Sequence, residues 1–200
     1  MVQWIIFEGM HAPALTTAFL AAVATAHPNL KTAPRHQPDV WLNMWPTVVA
    51  PKRIWPYPNG QAIQQHRPQL ASNSAALGVI AFSAGVVAAV EHLRQWQQTG
   101  GQVAGLVALD GWGVPLNHDY PTFRLSHDQF THRSSLLLGS GPVNFYADPA
   151  VPHLTLWEAP QTVTGWQVDT HRGHIVQASS ALEFLTQAID QIEARHGQEQ

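Results

Sequence analysis

Two kinds of apolar pattern alternate along the chain. Residues 2–7, Val-Gln-Trp-Ile-Ile-Phe, are rich in β-branched and aromatic side chains and are closed by Gly9, which predicts a strand. After a turn at 9–13, residues 14–26 are helix formers at most positions, with Pro13 where a first helical turn tolerates it. Prolines at 28, 34 and 38 mark a loop, the apolar segment 39–45 predicts a second strand, and Asn59-Gly60 leads into a Gln-rich helix over about 60–66 that Pro68 ends. Residues 76–82 are apolar without interruption, the pattern of a parallel strand buried on both faces. The period turns helical over 84–98, Thr99-Gly100-Gly101 stops it, and 102–109 predicts another buried strand that ends at Asp110-Gly111-Trp112-Gly113.

Residues 114–150 show several prolines, many polar residues and no long period beyond a short helical piece at 134–138. They are read as an irregular, lid-like insertion. Residues 153–157 alternate like a short strand and 163–168 like a last strand. Residues 175–193 predict a final helix with Ile175, Ala178, Leu182, Leu185, Ile189 and Ile192 on one stripe. Strands alternating with helices, and strands without a polar face, predict a single α/β domain over 1–200: an open, mostly parallel sheet with helices on both faces.

Composition narrows the chemistry. Charged residues make up 12% of the 200, about half the usual share, and are replaced by eighteen Gln, 12 His and 8 Trp. A formal charge of -3 offers no basic field for nucleic acid. With no Cys, there is no thiol nucleophile or thiolate metal site, so covalent chemistry falls to Ser, Thr, Asp, Glu or His. No run approaches a membrane span or a signal-peptide core, and the chain is expected to be soluble and cytoplasmic.

The most informative stretch is Ala81-Phe82-Ser83-Ala84-Gly85, between the buried strand and the helix. A tight strand-to-helix turn exposes a serine Oγ, and a helix N-terminus offers free N–H groups. Small neighbours at 81 and 85 let strand and helix approach closely. The stretch resembles the nucleophile elbow of the α/β-hydrolase superfamily, with Ala81 in place of the first Gly, and the order of elements is similar to a minimal, small single-domain bacterial member. A structural N-cap Ser is the competing reading of Ser83. The resemblance implies an oxyanion hole from backbone N–H groups of Met10 or His11 and of Ala84.

By the same resemblance the general base lies between the last strand and the last helix, which favours His174, with His171 as alternate; His127 and His132 of the insertion are further candidates. The acid is Asp110, after the strand that follows the nucleophile helix, or Glu158, after 153–157. Trp112, Phe123, Phe130 and Tyr146 are expected to line an apolar pocket under the lid. The interleaved His and Asp of the insertion match no standard ligand spacing, so neither metal nor organic cofactor is expected.

These residues point to a serine hydrolase that cleaves an ester or thioester with an apolar part through an acyl-enzyme on Ser83. An acyltransferase or perhydrolase would use the same residues. The alternative from another class is a noncatalytic binding protein that keeps the fold and pocket without an aligned triad.

Overall fold

The computed structural model describes residues 2–28, 30 and 76–198; the strand expected at 39–45 and the helix at 60–66 lie outside them. In chain order the elements are β1 (Val2–Phe7), α1 (Pro13–Ala26), β2 (Ala76–Phe82), α2 (Gly85–Gln98), β3 (Val103–Leu109), β4 (Thr122–Ser126), α3 (Gln129–Leu136), β5 (Val143–Ala147), α4 (Thr155–Glu158), β6 (Thr164–Asp169), β7 (His174–Ser180) and α5 (Ala181–Gln198). The chain is α/β. Among the described residues seven strands form one open sheet in the order β1-β2-β3-β4-β5-β6-β7. Strands β1 to β5 run parallel, and β6 and β7 add on antiparallel.

The uninterrupted apolar runs become the middle of the sheet because both of its faces are covered. Successive side chains of a strand point to opposite faces. In β2, Ile80 and Phe82 join a core with Phe19 and Val23 of α1, Trp157 of α4 and Leu185, Ile189 and Ile192 of α5. Leu77, Val79 and Ala81 of the same strand join the opposite core with Val86, Ala89, Leu93 and Trp96 of α2.

Residues 114–150 are not a lid-like insertion. They contain β4, α3 and β5, two of the five parallel strands and the helix between them. The strand signal of β4 is masked by Arg124, a charge in a strand whose five residues are all buried. Its guanidinium donates to the carbonyls of Gly139 at 2.7 Å and Val114 at 2.8 Å, and more weakly to those of Gly111 and Leu138 at 3.3 Å each. These oxygens replace the water lost on burial. Burial lowers the Arg124 pKa to about 10, which leaves it charged at neutral pH. The side chain thereby ties the loop after β3 to the turn after α3.

The segment expected as a strand at 153–157 is a turn followed by α4, and the expected final helix divides into β7 and α5. A capping box sets that division. The Ser180 N–H donates to Glu183 Oε2 at 2.6 Å and the Glu183 N–H to Ser180 Oγ at 3.2 Å, so the helix starts only after Ser180. The sequence carries this Ser-x-x-Glu signal, while Ile175 and Ala178 of β7 also fit the helical stripe. Among the described residues no helix is long and apolar enough to cross a membrane.

Gly85 governs the approach of α2 to the sheet. A Cβ there would lie 2.4 Å from the Glu8 carbonyl oxygen and 2.6 Å from that of Phe7. The close approach is therefore to the neighbouring strand β1, not to β2. Both obstructing atoms belong to backbone and cannot swing aside, so Gly85→Ala is expected to cost about 1–3 kcal/mol. Chemical denaturation followed by circular dichroism checks this: a midpoint equal to that of the wild type would refute the packing argument.

Candidate active site

The parallel register brings the chemistry together. Phe82 is paired with Leu109 and Leu109 with Leu125, so β2 and β3 end level and β4 runs one residue further, to Ser126. The ladder runs on by one residue at each end: the Ser83 N–H donates to the Leu109 carbonyl at 2.9 Å and the Asp110 N–H to the Leu125 carbonyl at 2.8 Å. Ser83, Asp110 and His127 thus leave three successive strands side by side. Both Ser83 (φ 53) and Asp110 (φ 50) adopt the left-handed conformation. Such strained residues cluster at functional sites.

The histidine that meets them is His153, in the loop between β5 and α4. Its Nε2 lies 3.0 Å from Ser83 Oγ and its Nδ1 2.7 Å from Asp110 Oδ2. An ionised carboxylate can only accept, so Nδ1 carries the imidazole proton and Nε2 presents its lone pair to the serine hydroxyl. Two further contacts hold the ring. Its loop is anchored where the Val151 N–H donates to the His127 carbonyl at 3.0 Å. One face of the ring stacks on Phe82, with centroids 4.7 Å apart. Phe82 in turn stacks on Trp157 at 5.1 Å, and Trp157 on Phe19 at 3.7 Å, so the imidazole rests on a buried aromatic pile.

Asp110 is 5% exposed and holds more than His153. Its Oδ1 accepts the His127 N–H at 2.9 Å. The Nδ1 of the His127 ring stands 2.9 Å from Oδ2, within ion-pair distance. Contact with the carboxylate raises the His127 pKa.

The loop after β1 closes the other side of Ser83. A Cβ at Gly9 would fall 3.0 Å from Ser83 Cβ and 2.8 Å from the Phe82 ring, so the loop backbone lies directly against the serine. Among the described residues, the N–H groups of Met10, His11 and Ala84 donate to no backbone acceptor. The His11 ring packs 5.6 Å from Phe82 and 6.0 Å from Trp157, with Nδ1 on the Ala12 carbonyl at 3.0 Å.

Of the residues proposed from sequence, Ser83 and Asp110 come together, whereas His174 and His171 stand apart from them. His174 begins β7, paired with Asp169, and His171 lies in the preceding hairpin turn, where Asp169 accepts the N–H groups of His171 and Arg172 at 2.9 Å each and Gly173 takes φ 67. Asp169 is paired with Val143, the first residue of β5, so this hairpin sits at the opposite end of the sheet from Ser83. Glu158 ends α4 exposed. His132 is buried beside Tyr146, and burial lowers its pKa to about 4. The expected apolar pocket also changes: Phe123 and Tyr146 belong to the buried core, while Trp112 and Phe130 are 64% and 72% exposed. His153 follows β5 and not the strand near 163–168, so an expectation that places the histidine after the last strand passes it by. The apolar run Val-Asn-Phe-Tyr-Ala at 143–147 was the available signal.

Compared with protein-family models and with curated proteins, the chain matches none.

The left-handed backbone at Ser83 has a cost that glycine would not bear. Ser83→Gly is expected to be more stable than Ser83→Ala, which loses the same hydroxyl but keeps a Cβ, by about 0.5–1 kcal/mol. Equilibrium denaturation of the two variants measures the difference, and a less stable glycine variant would contradict the strain.

Proposed function

We propose that the protein is a serine hydrolase of the α/β-hydrolase fold that cleaves an ester or thioester through an acyl-enzyme on Ser83. The observation that carries this reading is the unbroken Ser83 Oγ, His153 Nε2, His153 Nδ1, Asp110 Oδ2 relay, at 3.0 and 2.7 Å across the imidazole. The fold assignment draws support from the position of Ser83 between β2 and α2, of Asp110 directly after the next strand, and of the parallel register that aligns them.

In this reading Ser83 Oγ attacks the acyl carbonyl as its proton passes to His153 Nε2. The imidazolium so formed is stabilised by the ionised Asp110 against Nδ1. The oxygen of the tetrahedral intermediate is received by N–H groups of Met10 or His11 and of Ala84, where one such donor contributes about 2.7–4 kcal/mol. His153 returns the proton to the leaving group. A water activated by the same ring then attacks the ester on Ser83 and releases the acid. Neither metal nor organic cofactor enters these steps.

The substrate is read as a small molecule with an apolar acyl or aryl part. Met10, Trp112, Phe130 and Leu154 are exposed and follow the C-terminal ends of β1, β3, β4 and β5, the end of the sheet that carries Ser83. Trp112 is steadied by the hydrogen bond from its Nε1 to Ser134 Oγ at 3.1 Å.

A fluorophosphonate probe tests the reading. It is expected to label the wild type at Ser83, to leave Ser83→Ala unlabelled, and to react at least about 100-fold more slowly with His153→Gln and Asp110→Asn. His171→Asn and His174→Asn should react like the wild type. Failure to label the folded protein, or undiminished labelling of His153→Gln, would overturn it.

A further inference from the structure

The relay uses one imidazole on Asp110, yet the carboxylate has two. His127 Nδ1 and His153 Nδ1 converge on the same oxygen, Oδ2, at 2.9 and 2.7 Å. The His127 Nδ1 is shielded from solvent. Asp110, His127 and His153 each offer a ligand atom, and these atoms all lie within 4.8 Å of one another. We propose that Asp110, His127 and His153 form a binding site for a zinc-type divalent cation, and that the bound ion switches Ser83 off. The second part rests on the serine-hydrolase reading; the first does not.

The donor chemistry selects the ion. Two imidazole nitrogens and one carboxylate oxygen suit zinc and its neighbours, whereas magnesium and calcium favour all-oxygen sets. Zinc bonds of 2.0–2.2 Å in tetrahedral geometry put donors roughly 3.3 Å apart. The two nitrogens must therefore draw back from Oδ2 by about half an ångström. The His153 side chain is 40% exposed and that of His127 26%, which leaves both rings room to shift. Asp110, 1% exposed at its side chain, supplies the negative charge in a low-dielectric setting and stays fixed by the His127 N–H.

Metal at this position inverts the tautomer of His153. Its Nδ1 must give a lone pair to the ion, so the ring proton moves to Nε2. No proton leaves that ring, but Nε2 now faces Ser83 Oγ as a donor and can no longer accept the hydroxyl proton. His127 also presents a lone pair and releases a proton wherever it was charged.

Isothermal titration of the metal-free protein with zinc chloride at pH 8 tests the site. Wild type and Ser83→Ala are expected to bind one ion per chain tightly, and magnesium chloride should give no comparable heat. His127→Asn keeps the backbone N–H to Asp110 but loses a ligand, and should bind zinc about 100-fold more weakly or less. His153→Gln should show the same loss and serves as the test should His127→Asn not fold. Zinc should also slow fluorophosphonate labelling of the wild type, reversibly with a chelator. Relative to its own zinc-free rate, His127→Asn should be unaffected. Wild-type zinc affinity in both histidine variants would overturn the site. Zinc binding lost with His127, in a protein the probe never labels, would uphold the site while the hydrolase reading fails. Tight binding that leaves wild-type labelling unchanged would overturn the switch.

Discussion

A single buried carboxylate organises this end of the molecule. Asp110 gathers the His127 backbone through one oxygen and two imidazoles through the other, and His127 in turn holds the His153 loop through its carbonyl. A carboxylate this deep is tolerated because each of its oxygens is met by a donor, Oδ1 by the His127 N–H and Oδ2 by the His153 ring. Removing it would leave His153 without an orienting partner and the loop after β5 with one anchor fewer. The residue's left-handed conformation belongs to the same arrangement, because it turns the side chain from the end of β3 toward the loops of β4 and β5.

The rest of the site is a consequence of parallel register and aromatic packing. Strands whose ends fall within one residue of one another across β2, β3 and β4 deliver Ser83, Asp110 and His127 side by side, with no long side chain needed to bridge them. Phe82 joins site and core: its backbone leads into the strained serine, and its ring supports His153 and passes the load to Trp157 and Phe19. Gly9 and Gly85 are small because the end of β1 and the serine turn press against each other: a Cβ at Gly9 would meet Phe82 and Ser83, and one at Gly85 the carbonyls of Phe7 and Glu8. The fold and the placement of Ser83 are thus built from the same contacts, and the left-handed backbone at residue 83 is the local cost.

Much of this was legible in the sequence where a local pattern and a buried environment agreed. The apolar runs 76–82 and 103–109 could only be two-faced strands, and the Ala-Phe-Ser-Ala-Gly turn between strand and helix could be recognised from its small residues. What escaped was set by long-range satisfaction of polar groups. Arg124 reads as a surface charge until four carbonyls are seen around it, and with it β4 disappeared into a supposed insertion. Ile175 and Ala178 fit a helical stripe, yet they belong to an edge strand whose end is fixed by the Ser180–Glu183 capping box. The histidine follows the same logic: without β5 the last strand reads as 163–168, and the loop after it lies at the opposite end of the sheet from Ser83.

The most direct measurement is the first turnover of a chromogenic ester of an apolar acid, with intact mass recorded after rapid quenching. One chromophore is expected to be released per chain ahead of steady turnover, with the acyl mass carried on Ser83. No accumulated acyl group, together with chromophore release by Ser83→Ala as fast as by the wild type, would contradict an acyl-enzyme on Ser83.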